Sequence, residues 1–223
     1  MFVKICGITA EDDALLAVAL GADAIGFIFA PSKRQVRPAQ AQEIARRLPP
    51  EILTVGVFRD ETKERVVEII NTTGLRAAQL HGHESAADCR WIRERVPATI
   101  RALPAGSPDL DHFDDFGADV LLLDSPTPGS GQVFDWSLAE GRPSNRRTLL
   151  AGGLDPDNVA DAITRIRPWG VDVASGVERE PGRKDPSKLR AFIVAAQSVP
   201  PLHAHDAHGD APYNWLEDDP SQW

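Results

Sequence analysis

Phe2-Val3-Lys4-Ile5-Cys6 and Val120-Leu121-Leu122-Leu123-Asp124 are short apolar runs, each closed by a titratable residue. Near-continuous apolar runs of this kind are what strands buried on both faces look like, and such strands belong to parallel sheets covered by helices. In a barrel of parallel strands, chemistry is placed at the strand ends on one face. A thiol closing the first strand and a carboxyl closing a much later one are therefore predicted to face each other across a barrel mouth.

The remaining sequence fits that frame. Strands are predicted at 2–6, 23–29, 52–58, 76–80, 98–103, 119–124, 147–151 and 170–174. Amphipathic stretches fall between them at 11–20, 38–48, 61–73, 84–95, 156–166 and 186–197. Glu11-Asp12-Asp13 puts acids in a first helical turn. Asp155-Pro156 and Asp185-Pro186 each place an N-cap residue before a first-position proline. Gly21 and Gly74 stand where helices should stop. The polar, broken stretch 104–118 is expected to hold a turn of helix at most. Strand and helix patterns alternate throughout residues 1–198, which predicts a single-domain, compact (β/α)8 TIM barrel in the α/β class. The competing open, doubly wound sheet wants a glycine-rich loop after its first strand, and only Cys6-Gly7-Ile8-Thr9 stands there.

Composition narrows the function classes. The chain has 223 residues, 42% hydrophobic and 26% charged, as a globular domain should. No apolar run reaches the ~20 residues of a membrane span, and no signal-peptide pattern opens the sequence. A cytoplasmic location and no membrane partner are expected. Two cysteines, Cys6 and Cys89, do not make a disulfide framework, and no Cys/His spacing suggests a metal. The net charge is −9, of which −5 lies in residues 199–223, leaving −4 on the body. A mildly acidic body argues against a nucleic-acid partner. It leaves room for an anionic small molecule held by backbone amides. The tail, with Pro200, Pro201, Pro212 and Pro220, is expected to be a flexible acidic extension outside the barrel. Its His203, His205 and His208 read as solvated residues rather than metal ligands.

Several residues carry possible chemistry. Cys6 is either an inert core thiol or, beside a permissive Gly7, a general base. Asp124 either caps a loop or donates a proton from a half-buried mouth. Glycines gather after three late strands: Gly129 and Gly131, then Gly152 and Gly153, then Gly176 behind Ser175. Late loops of a barrel are the usual phosphate cradle. Arg34, in the loop after the second strand, offers a fork for a carboxylate. His81 closes the fourth strand and could line the mouth. Lys4 shares its strand face with Cys6, so it could line the barrel or, with His81, its mouth. A base and an acid on one substrate suit proton transfer within it, as in an isomerase.

These residues fall in a familiar order. Val3-Lys4-Ile5-Cys6-Gly7-Ile8-Thr9, Gly21-Ala22-Asp23-Ala24-Ile25-Gly26-Phe27, Ser32-Lys33-Arg34, Gln79-Leu80-His81-Gly82 and Leu122-Leu123-Asp124 are followed by Phe134-Asp135-Trp136 and Ala151-Gly152-Gly153-Leu154. Val171-Asp172-Val173-Ala174-Ser175-Gly176-Val177-Glu178 and Pro181-Gly182-Arg183-Lys184-Asp185 complete the set. Across residues 1–198 the chain resembles the phosphoribosylanthranilate isomerase family of tryptophan biosynthesis. The resemblance implies an Amadori rearrangement of N-(5-phosphoribosyl)anthranilate, with Cys6 as base and Asp124 as acid. It also implies Arg34 on the anthranilate carboxylate, the late glycines on the phosphate, and no cofactor. A monomer or homodimer is expected. The loop after Asp124 is shorter than the family pattern, and Pro128 replaces a glycine there. Proline removes an amide donor. Two other readings stay open: a barrel acting on a different phosphorylated sugar, and a non-catalytic interaction module.

Overall fold

The computed structural model describes residues 1–125 and 147–200. Eight parallel strands close into a barrel in sequence order. They are β1 (Phe2–Ile5), β2 (Ala24–Ile28), β3 (Leu53–Phe58), β4 (Ala77–Leu80), β5 (Thr99–Pro104), β6 (Val120–Asp124), β7 (Thr148–Leu150) and β8 (Gly170–Val173). β8 returns to β1 in the register Phe2↔Gly170 and Lys4↔Asp172. Every predicted strand is present, and the open-sheet alternative is excluded by that last pairing.

Helices α1 (Glu11–Ala19), α2 (Pro38–Ala45), α3 (Lys63–Thr73), α4 (Ala86–Arg93), α5 (Val159–Ile166) and α6 (Pro186–Ser198) fill the crossovers. Gly74 caps α3, and the Asp185 carboxylate accepts the Ser187 and Lys188 amides at the start of α6, both as predicted. Asp155 departs from expectation. α5 begins three residues after Pro156 with Asn158 as its N-cap, and the Asp155 carboxylate instead accepts the Asp157 and Asn158 amides in a preceding turn. The fifth crossover holds more order than its polar sequence suggested. A 3-10 segment runs from Pro108 to Phe116 with a break at His112, and Leu110, Phe113 and Phe116 are its buried anchors. No helix of the described residues is long and apolar enough to cross a membrane.

Strand parity divides the core in two. Val3, Ile5, Ile25, Phe27, Leu121, Leu123, Val171 and Val173 face outward and pack on α-helical residues such as Ala14, Ile44, Ile70, Ile92 and Phe192. Fully burying one such side chain stabilises the fold by roughly 1.5–3 kcal/mol. Phe2, Leu53, Val55, Ile100, Leu122 and Leu149 face inward and fill the barrel. At the strand starts, one device appears twice. Gly21-Ala22-Asp23 and Gly117-Ala118-Asp119 lead into β2 and β6, and their aspartates accept the backbone N–H of Val3 (2.8 Å) and Thr99 (2.7 Å) on the preceding strands. Two barrel closures are thus fastened at the face opposite the strand ends.

Candidate active site

Inward parity carries β1 through Phe2 and Lys4 to Cys6, and β6 through Val120 and Leu122 to Asp124. Both end at the same face of the barrel, on opposite sides of its mouth. Cys6 is 5% exposed and Asp124 is 7% exposed. The two residues singled out from the sequence are therefore brought to one site.

Beneath Cys6 lies a buried ion pair. Lys4, with no exposed surface, donates from Nζ to Asp172 Oδ1 at 2.8 Å. A side chain on Gly26 would lie 2.9 Å from Cys6 Sγ and 3.3 Å from Lys4 Nζ, so glycine is what lets thiol and ammonium pack against β2. Burial raises the Cys6 thiol above its ordinary 9.0, and Lys4 and then Lys184 oppose that rise. Burial alone would lower Lys4, but Asp172 and Cys6 outweigh it and hold the ammonium above its ordinary value. Lys4 thus lines the barrel interior, below the mouth rather than at it, and is firmly charged. Asp172 escaped the sequence reading. Its signal was a carboxylate on the inward parity of an otherwise apolar strand, opposite a lysine in the same position on β1.

A second cluster fixes the rim. The hairpin of β9 (Glu178–Glu180) and β10 (Arg183–Lys184) follows β8. Lys184 is 1% exposed and donates to the carbonyls of Cys6 (2.6 Å) and Ala174 (3.0 Å) and to Glu178 Oε1 (3.1 Å). Burial lowers Lys184, with Glu178 opposing. Arg34 does not stand open as a fork. Its Nε and Nη2 donate to the two Glu178 oxygens at 2.8 and 2.7 Å. Glu178 is desolvated, yet Arg34 and Lys184 hold it below the usual carboxylate range. A further anion at Arg34 would meet Nη1 or the outer edge of Nη2. The arginine stem also explains Gly7: at φ +73, a Cβ there would sit 2.6 Å from Arg34 Cδ.

The acid side is built differently. Asp124 Oδ1 accepts the Ser125 amide at 2.7 Å, and Oδ2 lies 3.0 Å from His81 Nε2. His81 is therefore at the mouth, in contact with the carboxyl. Gly152, at φ +82, packs so close that a Cβ would meet Ser125 N at 2.5 Å and Asp124 Oδ1 at 3.0 Å. Gly176 leaves no space for a side chain against the Leu154 carbonyl. Gly152, Gly153, Ser175 and Gly176 are thus neighbouring loops around the acid's side of the mouth. A cavity of about 500 Å³ opens on their outer flank, lined by Asp155, Asp157, Ser175, Gly176, Ser187 and Lys188 among others. Neither Cys6 nor Asp124 lines it. Gly129 and Gly131 lie outside the described residues, as do the Pro128 loop, Phe134-Asp135-Trp136 and the tail from 201. Among the described residues, no group of three His, Cys, Asp or Glu is arranged to hold a metal.

The family profile described as N-(5'phosphoribosyl)anthranilate (PRA) isomerase matches residues 3–195. An N-(5'-phosphoribosyl)anthranilate isomerase of Desulforudis audaxviator is 49% identical over 201 residues, spanning 88% of this chain and 98% of its own. The crystal structure of the Thermus thermophilus phosphoribosyl anthranilate isomerase superposes with a TM-score of 0.84 at 41% identity, covering 90% of this chain and all of that one. A phosphoribosyl anthranilate isomerase in complex with reduced 1-(o-carboxyphenylamino)-1-deoxyribulose 5-phosphate is similar at TM-score 0.77 and 42% identity, covering 88% of this chain and 98% of that one. With a closed barrel, a thiol and a carboxyl at one mouth, and likeness over nearly the whole fold, the chain belongs to the phosphoribosylanthranilate isomerase family.

Proposed function

We propose that the chain converts N-(5'-phosphoribosyl)anthranilate to its 1-deoxyribulose 5-phosphate isomer by general acid–base catalysis. The observation that carries this reading is the convergence of Cys6 and Asp124 on one mouth, each with a polar partner suited to its role. Asp124 gives its proton to the furanose ring oxygen. The C1–O bond breaks as the anilino nitrogen supplies its electron pair, leaving an iminium, the protonated Schiff base. Cys6, as thiolate, takes the proton from C2. The electrons of that C–H bond form the enolamine, which tautomerises to the ketone. No electron leaves the substrate, so the sequence of proton transfers balances within it.

The partners give each step its physical support. Lys4 stands beside Cys6, so the thiolate forms next to a fixed positive charge. Such a thiolate is scarce at neutral pH because burial raises the thiol, yet it is a strong base once formed. Arg34, steadied by Glu178, meets the anthranilate carboxylate with its remaining N–H groups. Backbone around Gly152, Gly153, Ser175 and Gly176 receives the phosphate, with Gly129 and Gly131 assigned to the same cradle from sequence.

The test is the decay of phosphoribosylanthranilate fluorescence on adding purified protein, corrected for spontaneous hydrolysis. The parent should accelerate it, and Cys6→Ala and Asp124→Asn should each lose about 10²–10⁴-fold in kcat/KM, the usual worth of a positioned acid or base. Parent-like turnover in either variant would remove that residue from the mechanism.

A further inference from the structure

Gln79 sits one inward position before His81 on β4 and is 1% exposed. Its Nε2 lies 3.0 Å from His81 Nδ1, and His81 Nε2 lies 3.0 Å from Asp124 Oδ2. Its Oε1 is buried and has no hydrogen-bond partner among the described residues. A buried carbonyl without a partner is costly, so its persistence asks for a reason.

The three side chains form a chain with two possible directions. A neutral imidazole donates from one nitrogen and accepts at the other. With an amide N–H on Nδ1, the ring proton sits on Nε2 and is donated to Asp124. That direction fits an ionised Asp124, the acid after it has given up its proton. A protonated Asp124 instead donates to Nε2. The ring proton then moves to Nδ1 and requires an acceptor. Gln79 supplies one if its amide turns over and presents Oε1. Because Oε1 has no partner among the described residues, the turn breaks no second hydrogen bond there. The two orientations differ chiefly in what they offer His81.

We propose that Gln79 is a positioning residue for the acid, its amide showing N–H to His81 when Asp124 is ionised and C=O when Asp124 carries its proton. The proposal rests on the assignment of Asp124 as the acid. Gln79 lies below the mouth and acts through His81. Without it, the loaded acid leaves a ring N–H unpaired inside the barrel, and loading becomes less favourable.

Histidine-¹⁵N-labelled protein reads this directly, with His81 assigned from the signals lost in His81→Asn. In the ligand-free parent at mildly alkaline pH, Nε2 should be protonated and Nδ1 should show the shift of a hydrogen-bonded acceptor. In Gln79→Met, which conserves volume, Nδ1 should move to the position of a nitrogen without a hydrogen bond. Turnover should fall about tenfold in kcat with KM little changed, the worth of one hydrogen bond. In Gln79→Glu the ring should be protonated on both nitrogens, and kcat should fall roughly a hundredfold, since Asp124 then always faces an N–H and is held ionised. A parent ring protonated on Nδ1, an unmoved Nδ1 signal in Gln79→Met, or parent-like kcat in both variants overturns the proposal. A merely structural role would lower the melting temperature and leave kcat in place, with the Nδ1 shift reporting only the lost contact. Turnover by Asp124→Asn separates the two levels. If it is retained, the acid assignment fails and the proposal falls with it, although the nitrogen shifts would still report the Gln79–His81 contact.

Discussion

Cys6 and Cys89 are both buried free thiols, yet only Cys6 closes a strand at the barrel mouth. Cys89 lies in α4 and packs in the shell between helices and barrel, with Sγ 4.0 Å from the Glu84 carbonyl. Burial pushes it up to about 11. Arg101 opposes that rise only through space, its guanidinium being tied to Glu84. Cys6 is raised by the same cause, but Lys4 beneath it opposes by charge and by hydrogen bond, and Lys184 sits on its own carbonyl. Burial makes a thiol a weak acid and its thiolate a strong base. A fixed cation decides whether the thiolate can be reached at all, and a strand end at the mouth decides whether it meets a substrate. Two residues of the same type and similar exposure thus part on the cation each can touch and on where each stands in the barrel.

Lys4→Met breaks that distinction most severely. It strips the ammonium from Cys6 and leaves Asp172 as an uncompensated buried charge. Removing one partner of a buried pair costs about 3–5 kcal/mol, which a denaturant titration will register. The predicted fall in kcat/KM is about a hundredfold or more, on the scale of losing one acid–base function. The double variant Lys4→Met/Asp172→Asn sharpens the point. Removing both charges should recover much of the stability and none of the activity, because Cys6 would then lack the ammonium that touches its sulfur. Recovery of activity along with stability would mean the lysine is only structural.

Cys89 supplies the reverse case. Cys89→Ala should leave kcat and KM unchanged and lower stability by about 1–2 kcal/mol, within the ordinary range for a small core truncation. The assay is fluorescence turnover beside a urea titration. A loss of turnover comparable to that of Cys6→Ala would undo the division between the two thiols.

The barrel was legible because its evidence is local. Apolar runs such as 120–123 can be buried on both faces only in a covered parallel sheet, and glycine and proline mark the breaks between elements. Cys6 and Asp124 were legible because they close such runs. Contacts that depend on register were not. Lys4 and Asp172 lie 168 positions apart, and nothing in either strand alone says that β8 returns to β1. Arg34 looked open because its partner Glu178 is 144 positions away on a hairpin that no periodicity announces. Arg101 and Glu84 form another such buried pair, with Nη1 bonded to Glu84 Oε2 at 2.5 Å between β5 and the outer shell. The start of α5 was misplaced because Asp155-Pro156 satisfies a helix cap and an Asp-led turn equally well; Asn158, three residues on, takes the N-cap position.

The smallest expected effect concerns pH. Burial pushes the Cys89 thiol from its ordinary 9.0 up to about 11. Between those values the folded state holds a proton that the unfolded state has released. Stability contributed by that proton is complete below the unfolded value and is lost as pH rises towards the folded one. By about pH 10 the loss is only about 1 kcal/mol, at the low end of the truncation's own cost. Cys6 is raised too, with the same sign, so total stability cannot isolate one thiol. The difference between the parent and Cys89→Ala can, since Cys6 and every other group titrate in both. Urea titrations should show the parent's advantage constant up to about pH 8 and shrinking above 9.0. A gap that stays constant through that range would show that the α4 thiol ionises alike in both states, and burial alone would no longer explain why it is inert.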